Sequence, residues 1–433
     1  MDKNGRTRKY WEIWLIYLRA MTKWVFVSLV TGVLCGALGT MFHVGVEYAT
    51  QLRAMYGWLL YCLPLFGLAV VAIYRLFHAE GLNTDNILEE VHSGRGVSIL
   101  LLPAIFFSTL LTHLGGGSVG REGAALQMGG ALGYQTGRLL KLDESDVRTT
   151  VTVGMAAFFS ALFGTPMAAT VFAMGITNVG RVYHASLLPC LIASLAAYGV
   201  SLLLGVAPTR FAVAAPAAEP LMFLRVAALA ILCAYLSVLF CEVIHGAERF
   251  AKKRFPNKWL RAAAGGALIV AATLLLGTTD YNGAGMEVIT RAVERGEAAP
   301  AAFALKLLFT AVTLAAGYKG GEVVPSFFVG ATFGCVAGPL LGIPPTFAAA
   351  IGLVSVFCGA VNCPLASTFL ALELFGADGM LYFALACALS FALSGYSGIY
   401  SSQRILYDKL KAQYIDVRTN AYHAGESRKN PDK

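Results

Sequence analysis

Long apolar runs interrupted by glycine and proline constrain the fold of this 433-residue chain more than any other feature. Hydrophobic residues make up 57% of the chain and charged residues only 13%. A soluble domain carries about 25% charged residues, so this chain has too few polar residues to cover a soluble surface. A β-barrel would alternate apolar and polar residues instead. The runs therefore predict an all-α polytopic membrane protein, and they exclude a disordered chain, a coiled coil and a nucleic-acid-binding protein.

Several apolar runs are too short to cross a bilayer, because a spanning helix needs about 20 residues. Examples are 364–375 and 380–394, which glycine or proline interrupts or bounds. Broken helices at membrane depth are tolerated only where they line a cavity or are buried in protein. We therefore expect broken helices that meet at a midplane site, as in transporters.

The two halves of the chain repeat one pattern. The segment 164–173 (G-T-P-M-A-A-T-V-F-A) returns at 362–371 as N-C-P-L-A-S-T-F-L-A. A second match lies at nearly the same offset, and it relates Gly120, Glu122, Gly130 and Ala131 to Gly320, Glu322, Gly330 and Ala331. Such a duplication predicts an inverted repeat. We expect a basic N-terminus at 1–23, a first transmembrane repeat at 24–206, a linker at 207–220, a second transmembrane repeat at 221–405 and a C-terminal tail at 406–433.

Basic residues cluster at three places, and these clusters predict the topology. Six of the 33 Lys and Arg lie in 1–23, six in 249–261 and seven after Tyr400. Basic flanks mark the cytoplasmic side of a membrane protein. Both termini and the 249–261 loop are therefore expected to be cytoplasmic.

The nine cysteines lie inside apolar stretches, without a C-x-x-C pair or histidine at metal-ligand spacing. They are expected to be free buried thiols, with no metal site and no cofactor. Neither Glu122 nor Glu322 is accompanied by a His or Cys cluster. A membrane-embedded enzyme would need such a nucleophile–base pair or metal ligands, so an enzyme is not expected.

The first motif with chemical content is the glycine-rich turn G-G-G-S-V-G-R-E-G at 115–123. Backbone N–H groups at a helix start lack intrahelical partners and attract anions. The carboxylate of Glu122 would mimic that anion, occupy the site when charged and leave when protonated. This would couple a proton to an anion. The alternative is a first-turn Glu122 that forms a salt bridge with Arg121.

The second motif, G-Y-K-G-G-E-V-V-P at 317–325, has the same design. Its backbone amides near Val323 and Val324 would face those of Gly123. The alternative is a simple loop before a buried helix.

These motifs, with G-Y-S-G-I-Y at 395–400, resemble the CLC family of chloride channels and anion/proton antiporters over about 24–405. The resemblance implies an inverted-repeat CLC-type helical fold in a bacterial-type inner or plasma membrane, and a homodimer with one anion pore per subunit. It also implies that Glu122 gates the pore. The amides of Val323 and Val324 would bind the anion, and Tyr400 would line the pore. A tyrosine near a helix end is otherwise an interface residue, a reading that fits Tyr396 better.

The chain departs from the common family pattern at 81–91, where G-L-N-T-D-N-I-L-E-E-V replaces a G-S-G-I-P motif. By position Asn83 replaces the chloride-coordinating serine, which resembles the fluoride-exporting branch of the family. The resemblance implies proton-coupled fluoride export; a chloride/proton antiporter or a passive chloride channel is the alternative. Asn83 is otherwise a helix N-cap, a role that neighbouring polar residues would also fill. No CBS domains are expected after the repeats.

No Asp or Glu lies between Asp146 and Glu219. Chloride/proton exchangers of the family carry a glutamate where this chain has Gly175 or Ile176. We therefore expect the Glu122 side chain to be the only proton carrier and to reach both sides of the membrane in turn. Glu322 is a possible substitute carrier, but capping its own helix or pairing with Lys319 is the preferred interpretation.

Overall fold

The computed structural model describes residues 3–94, 96–411 and 413–420, and helices dominate it. The first half of the chain contains helices α1 (Lys3–Met55), α2 (Leu63–Leu76), α3 (Thr84–Ser93), α4 (Leu101–Leu114), α5 (Glu122–Leu139), α6 (Glu144–Phe163), α7 (Pro166–Gly175) and α8 (Leu187–Leu203). The second half contains α9 (Pro220–Arg254), α10 (Lys258–Leu276), α11 (Met286–Thr290), α12 (Ala302–Ala315), α13 (Val323–Leu340), α14 (Pro345–Val361), α15 (Pro364–Phe375) and α16 (Met380–Leu393).

Within these residues, six helical segments are long and apolar enough to cross a membrane, namely Trp11–Met55, Gly57–Leu76, His184–Leu203, α9, α10 and α13. Six further apolar helices have only 10–17 residues, namely α4, α7, α12, α14, α15 and α16. The mixture of full spans and short helices confirms the prediction of a helical membrane fold with interrupted helices.

Both halves break a helix and restart it in the same way. Helix α6 ends at Gly164 and α14 ends at Asn362, each in the left-handed conformation with φ of 69° and 57°. Glycine and asparagine are the residues that tolerate this C-terminal position. Helices α7 and α15 then begin on Pro166 and Pro364, whose missing N–H costs nothing in a first turn. The repeated G-T-P and N-C-P sequences therefore encode the same helix break.

Glycines bring two helix pairs into backbone contact. A Cβ on Gly129 of α5 would meet the carbonyl oxygen of Gly154 in α6. In the other half, a Cβ on Gly330 of α13 would meet the carbonyl oxygen of Gly352 in α14. Small residues allow such close helix packing in membranes, where van der Waals contact drives association. The two pairs hold the starts of α5 and α13 in place.

A small three-stranded sheet, which the sequence did not predict, closes one end of the fold. Strand β1 (Asn178–Val179) pairs in parallel with β2 (Arg404–Tyr407), which pairs antiparallel with β3 (Tyr414–Arg418). The Gln403 side-chain amide donates to the carbonyls of Ile176 and Val361, both at 2.9 Å. The hydroxyl of Thr419 donates to the Tyr400 carbonyl at 2.5 Å. These bonds fix the loop that carries Tyr400.

Phenylalanine side chains join the two halves beside the centre of the fold. Ring centroids lie 5.0 Å apart for Phe159 and Phe172, 5.8 Å for Phe172 and Phe357, and 5.0 Å for Phe357 and Phe327. Offset and edge-on ring pairs at these separations are favourable. The cluster contributes residues from both repeats and stabilises their relative position.

Candidate functional site

The two glycine-rich turns meet at the centre of the fold. The Gly120 N–H donates to the Gly321 carbonyl at 2.7 Å, and the Gly321 N–H donates to the Gly120 carbonyl at 2.8 Å. A Cβ on Gly321 would lie against the Gly123 nitrogen, and one on Gly120 against the carboxylate of Glu122. Only glycine allows the two turns to approach this closely.

Glu122 begins α5, and its side chain crosses to the start of α13. Its Oε2 accepts hydrogen bonds from the backbone N–H of Arg121 at 3.0 Å and of Val324 at 3.2 Å. The residue is 0% exposed, and its Oε1 has no hydrogen-bond partner within residues 3–94, 96–411 and 413–420. The carboxylate therefore occupies the place where N–H groups at two helix starts would hold an anion. The structure thus brings Glu122, Gly123, Val323 and Val324 together.

The side chain of Arg121 does not pair with Glu122. Its Nη2 donates to the Leu162 carbonyl at 3.4 Å, and its Cζ lies 5.8 Å from the centroid of the Phe163 ring. The alternative of an Arg121–Glu122 salt bridge is therefore wrong, because the guanidinium is engaged at the end of α6. No ion pair holds the Glu122 carboxylate within the part of the chain that the structure describes.

A cavity of about 300 Å³ leads to this centre from the face that carries the 249–261 loop. We call this cavity the vestibule. Charged residues stand at its mouth, namely the exposed Glu80, Lys252 and Lys258 and the half-buried Glu248. Its wall also includes Asn83, Thr84, Gln127, Lys319, Glu322 and Tyr400. Asn83 and Tyr400 thus share one cavity.

Asn83 is exposed in the vestibule and is the N-cap of α3. Its Oδ1 accepts from the Asn86 N–H at 3.3 Å, and the Asn86 Oδ1 accepts from the Asn83 N–H at 2.8 Å. This capping role uses the side-chain oxygen of Asn83. It leaves the side-chain N–H groups for another acceptor, so capping and anion binding are compatible.

Thr84, to which the sequence analysis gave no role beyond a possible cap, contacts the central turn directly. Its hydroxyl donates to the Gly123 carbonyl at 3.4 Å and accepts from Gln127 Nε2 at 3.2 Å. The sequence offered one sign of this contact, namely a residue with a hydroxyl group directly after Asn83 in G-L-N-T.

Tyr400 is 2% exposed and lines the vestibule, and its hydroxyl has no hydrogen-bond partner in the part of the chain that the structure describes. Tyr396 instead donates its hydroxyl to Asp408 Oδ2 at 2.5 Å. Of the two tyrosines in G-Y-S-G-I-Y, Tyr400 is therefore the one beside the centre.

Glu322 occupies the N-cap position of α13, but its side chain makes no capping hydrogen bond. It also forms no ion pair with Lys319, whose ammonium lies over the ring of Tyr74 instead. The preferred interpretation of Glu322 was therefore wrong in both forms. The half-buried carboxylate lines the vestibule, one residue before the helix that receives Glu122.

Glu373, which sequence reasoning missed, is a second carboxylate at a helix start. Its two oxygens accept from the backbone N–H of Met167 at 2.9 Å and of Ala168 at 2.8 Å. Glu373 lies 198 positions after Gly175, the same offset as between the proline helices. This offset could have identified Glu373 from the sequence. The role of Glu373 is to cap α7 from the other repeat.

The family profile described as voltage gated chloride channel matches residues 66–395. The chain is 35% identical to a chloride/fluoride channel protein of Pseudomonas syringae pv. tomato over 399 residues, which are 90% of this chain and 88% of that protein. It is 27% identical to an H+/Cl− exchange transporter ClcA of Vibrio cholerae, with 81% of each chain covered.

Solved structures share the fold. A CLC-type fluoride/proton antiporter superimposes with a TM-score of 0.84 at 30% identity, over 88% of this chain and 98% of that one. A slow cyanobacterial Cl−/H+ antiporter superimposes with a TM-score of 0.73 at 18% identity, over 86% and 94% of the two chains.

Proposed function

The chain belongs to the voltage gated chloride channel (CLC) family, and we propose that within this family it is a fluoride/proton antiporter. It is an integral membrane anion transporter and not an enzyme. The anion and the coupling to protons are the proposed part.

The observation that carries the proposal is the position of the Glu122 carboxylate on the Val324 N–H. Backbone N–H groups at a helix start bind anions without regard to their identity, so a carboxylate and a halide compete for them. The Glu122 carboxylate can leave more readily once it is protonated, because the neutral form is the weaker acceptor. Each exchange of Glu122 for an anion then requires a proton.

Two findings support fluoride over chloride. One is the likeness to a chloride/fluoride channel protein and to a fluoride/proton antiporter, each at 30% identity or more. The other is Asn83 in the vestibule wall, with its amide N–H groups not used by the helix cap. Fluoride is small and strongly hydrated, so it needs compact donors in place of its water shell.

The proton carrier is proposed to be Glu122 alone, since 147–218 contains no acidic residue. Gly175 ends α7 at the place where a second carboxylate would stand. The Glu322 carboxylate is the competing candidate, because it lines the vestibule and forms no ion pair among the described residues.

Purified protein in liposomes tests the proposal. Fluoride movement against its own gradient, driven by an imposed pH gradient, is the expected result. Fluoride flux that ignores the pH gradient would indicate a passive channel. Proton-driven chloride flux with no fluoride flux would indicate the chloride/proton antiporter.

We further propose a homodimer with both termini and the 249–261 loop on the cytoplasmic side. Exposed leucines on α8, α15 and α16, such as Leu195, Leu365 and Leu381, offer apolar surface for a partner or for lipid. Light scattering in detergent tests the dimer. Thiol labelling of a cysteine placed in the 249–261 loop of sealed vesicles tests the orientation.

A further inference from the structure

The three lysines that line the vestibule differ in their partners. Lys252 pairs with Glu248 at 2.6 Å, and Lys258 pairs with Glu80 at 3.3 Å. Lys319 lies deeper, and among the described residues no carboxylate oxygen lies within 4.0 Å of its Nζ. The two lysines at the mouth are thus neutralised, whereas the inner lysine keeps an unpaired charge.

The position of Lys319 is fixed by its surroundings. Its Nζ lies 4.1 Å from the centroid of the Tyr74 ring, a cation–π contact. Its backbone N–H donates to Thr112 Oγ1 at 3.3 Å. The hydroxyl of the preceding Tyr318 donates to the Leu63 carbonyl at 2.8 Å. The ammonium is therefore held against one wall of the vestibule. The Tyr74 ring attracts it but carries no net charge, so the positive charge of Lys319 is not neutralised.

Tyr74 adds a second donor on the same wall. Its side chain is 4% exposed, and its hydroxyl oxygen is buried with no hydrogen-bond partner among the described residues. A buried polar group without a partner needs an explanation, such as a bound ion or water. A hydroxyl can donate to an anion, and the neighbouring ammonium supplies the charge that an anion requires.

We propose that Lys319 and Tyr74 form an anion-binding station in the vestibule wall, in front of the Glu122 centre. Its ligand is a small monovalent anion, held by the ammonium and the tyrosine hydroxyl before it moves to the Val324 amide. The inference rests on the proposed fluoride transport and adds a loading site to it. The station also offsets the charge of Glu322, which would otherwise repel an anion in the same cavity.

The concentration dependence of fluoride transport in proteoliposomes tests the station. Lys319→Gln should raise KM about tenfold and leave the maximal rate within about twofold, because a charge-assisted hydrogen bond is lost before the rate-limiting exchange. Tyr74→Phe keeps the ring under the ammonium and removes only the hydroxyl, so KM should rise about threefold. Lys319→Arg keeps the charge and should restore most of the affinity.

Lys258→Gln is the matched control, because Lys258 lines the same cavity but is paired with Glu80. An unchanged KM in Lys319→Gln would overturn the station, and so would an equal rise in Lys258→Gln, which would indicate general screening. If Lys319→Gln fails to assemble in gel filtration, Lys319→Arg and Tyr74→Phe decide. Calorimetric titration of the purified protein with fluoride separates the two proposals. Weaker binding in Lys319→Gln supports the station even if wild-type coupling fails, and equal binding refutes it.

Discussion

The two glycine-rich turns share one design, a glycine two residues before a glutamate at a helix start, but their carboxylates end in different places. Glu122 is fully buried and reaches across to the Val324 N–H of the opposite helix. Glu322 is half-buried, makes no capping bond and faces the vestibule. The backbones of the two turns are joined by a reciprocal pair of hydrogen bonds between Gly120 and Gly321.

The difference shows that a repeated motif need not repeat its chemistry. Glu122 is the first residue of α5, whereas Glu322 is the residue before α13. This shift of one position changes the direction of the side chain relative to the helix start. One carboxylate can then compete with the anion, while the other remains in the entry path.

The largest expected effect comes from Glu122→Gln, which removes the titrating group and keeps the side-chain shape. Proton transport should fall by at least about tenfold relative to anion transport, since glutamine carries no proton between the two sides. Simultaneous recording of pH and fluoride in liposomes measures this ratio. Glu373→Gln is the control, because Glu373 also accepts N–H bonds at a helix start and should keep the ratio. A wild-type ratio of proton to anion transport in Glu122→Gln would show that Glu122 is not the proton carrier.

Gly321→Ala tests whether the turns must touch. The added methyl would lie against the Gly123 nitrogen, and overpacking of this kind costs about 1–3 kcal/mol. We expect a lower melting temperature in detergent and a strong loss of transport. Gly199→Ala in α8 is the control, because a Cβ there meets no atom within 4 Å. Wild-type transport in Gly321→Ala would show that the close contact is dispensable.

Asn83→Ser extends the comparison to another residue of the vestibule wall. Serine also caps helices, so α3 should remain intact while the amide donors are lost. A net hydrogen bond of about 1 kcal/mol corresponds to about a fivefold change. The fluoride-to-chloride transport ratio should therefore fall by about fivefold, measured as paired effluxes from the same vesicles. An unchanged ratio would restrict Asn83 to its capping role.

Glu322→Gln should have the smallest effect if Glu122 is the sole carrier. The proton-to-anion ratio should stay within about twofold of wild type, and KM for the anion should fall slightly because a negative charge leaves the cavity. Loss of coupling in this variant, with Glu122 intact, would assign proton transfer to Glu322 and break the proposed division between the two turns.

Local motifs allowed much of this architecture to be predicted. Gly164 with Pro166, and Asn362 with Pro364, specify a helix end and restart within three residues, and the structure contains both. The meeting of the two turns followed from their repetition. The glycines and the glutamate of each turn stand next to each other in the sequence, so each turn could be recognised there.

Contacts between distant residues were not predictable in the same way. Strands β1 and β2 pair across more than 220 positions with only two residues in register, too few for a periodic signal. Lys319 was expected to pair with nearby Glu322, but it lies over Tyr74, far away in sequence. The ring competes for the ammonium only because helix packing brings it there. A single sequence carries no record of that packing.

The hydrogen bonds between Gly120 and Gly321 are reciprocal: each residue gives its N–H to the other and takes the other's carbonyl. Such an exchange is self-complementary, as in a contact across a two-fold axis between identical subunits. The pair therefore holds the two turns with one bond from each side, and neither turn can move away without breaking both bonds.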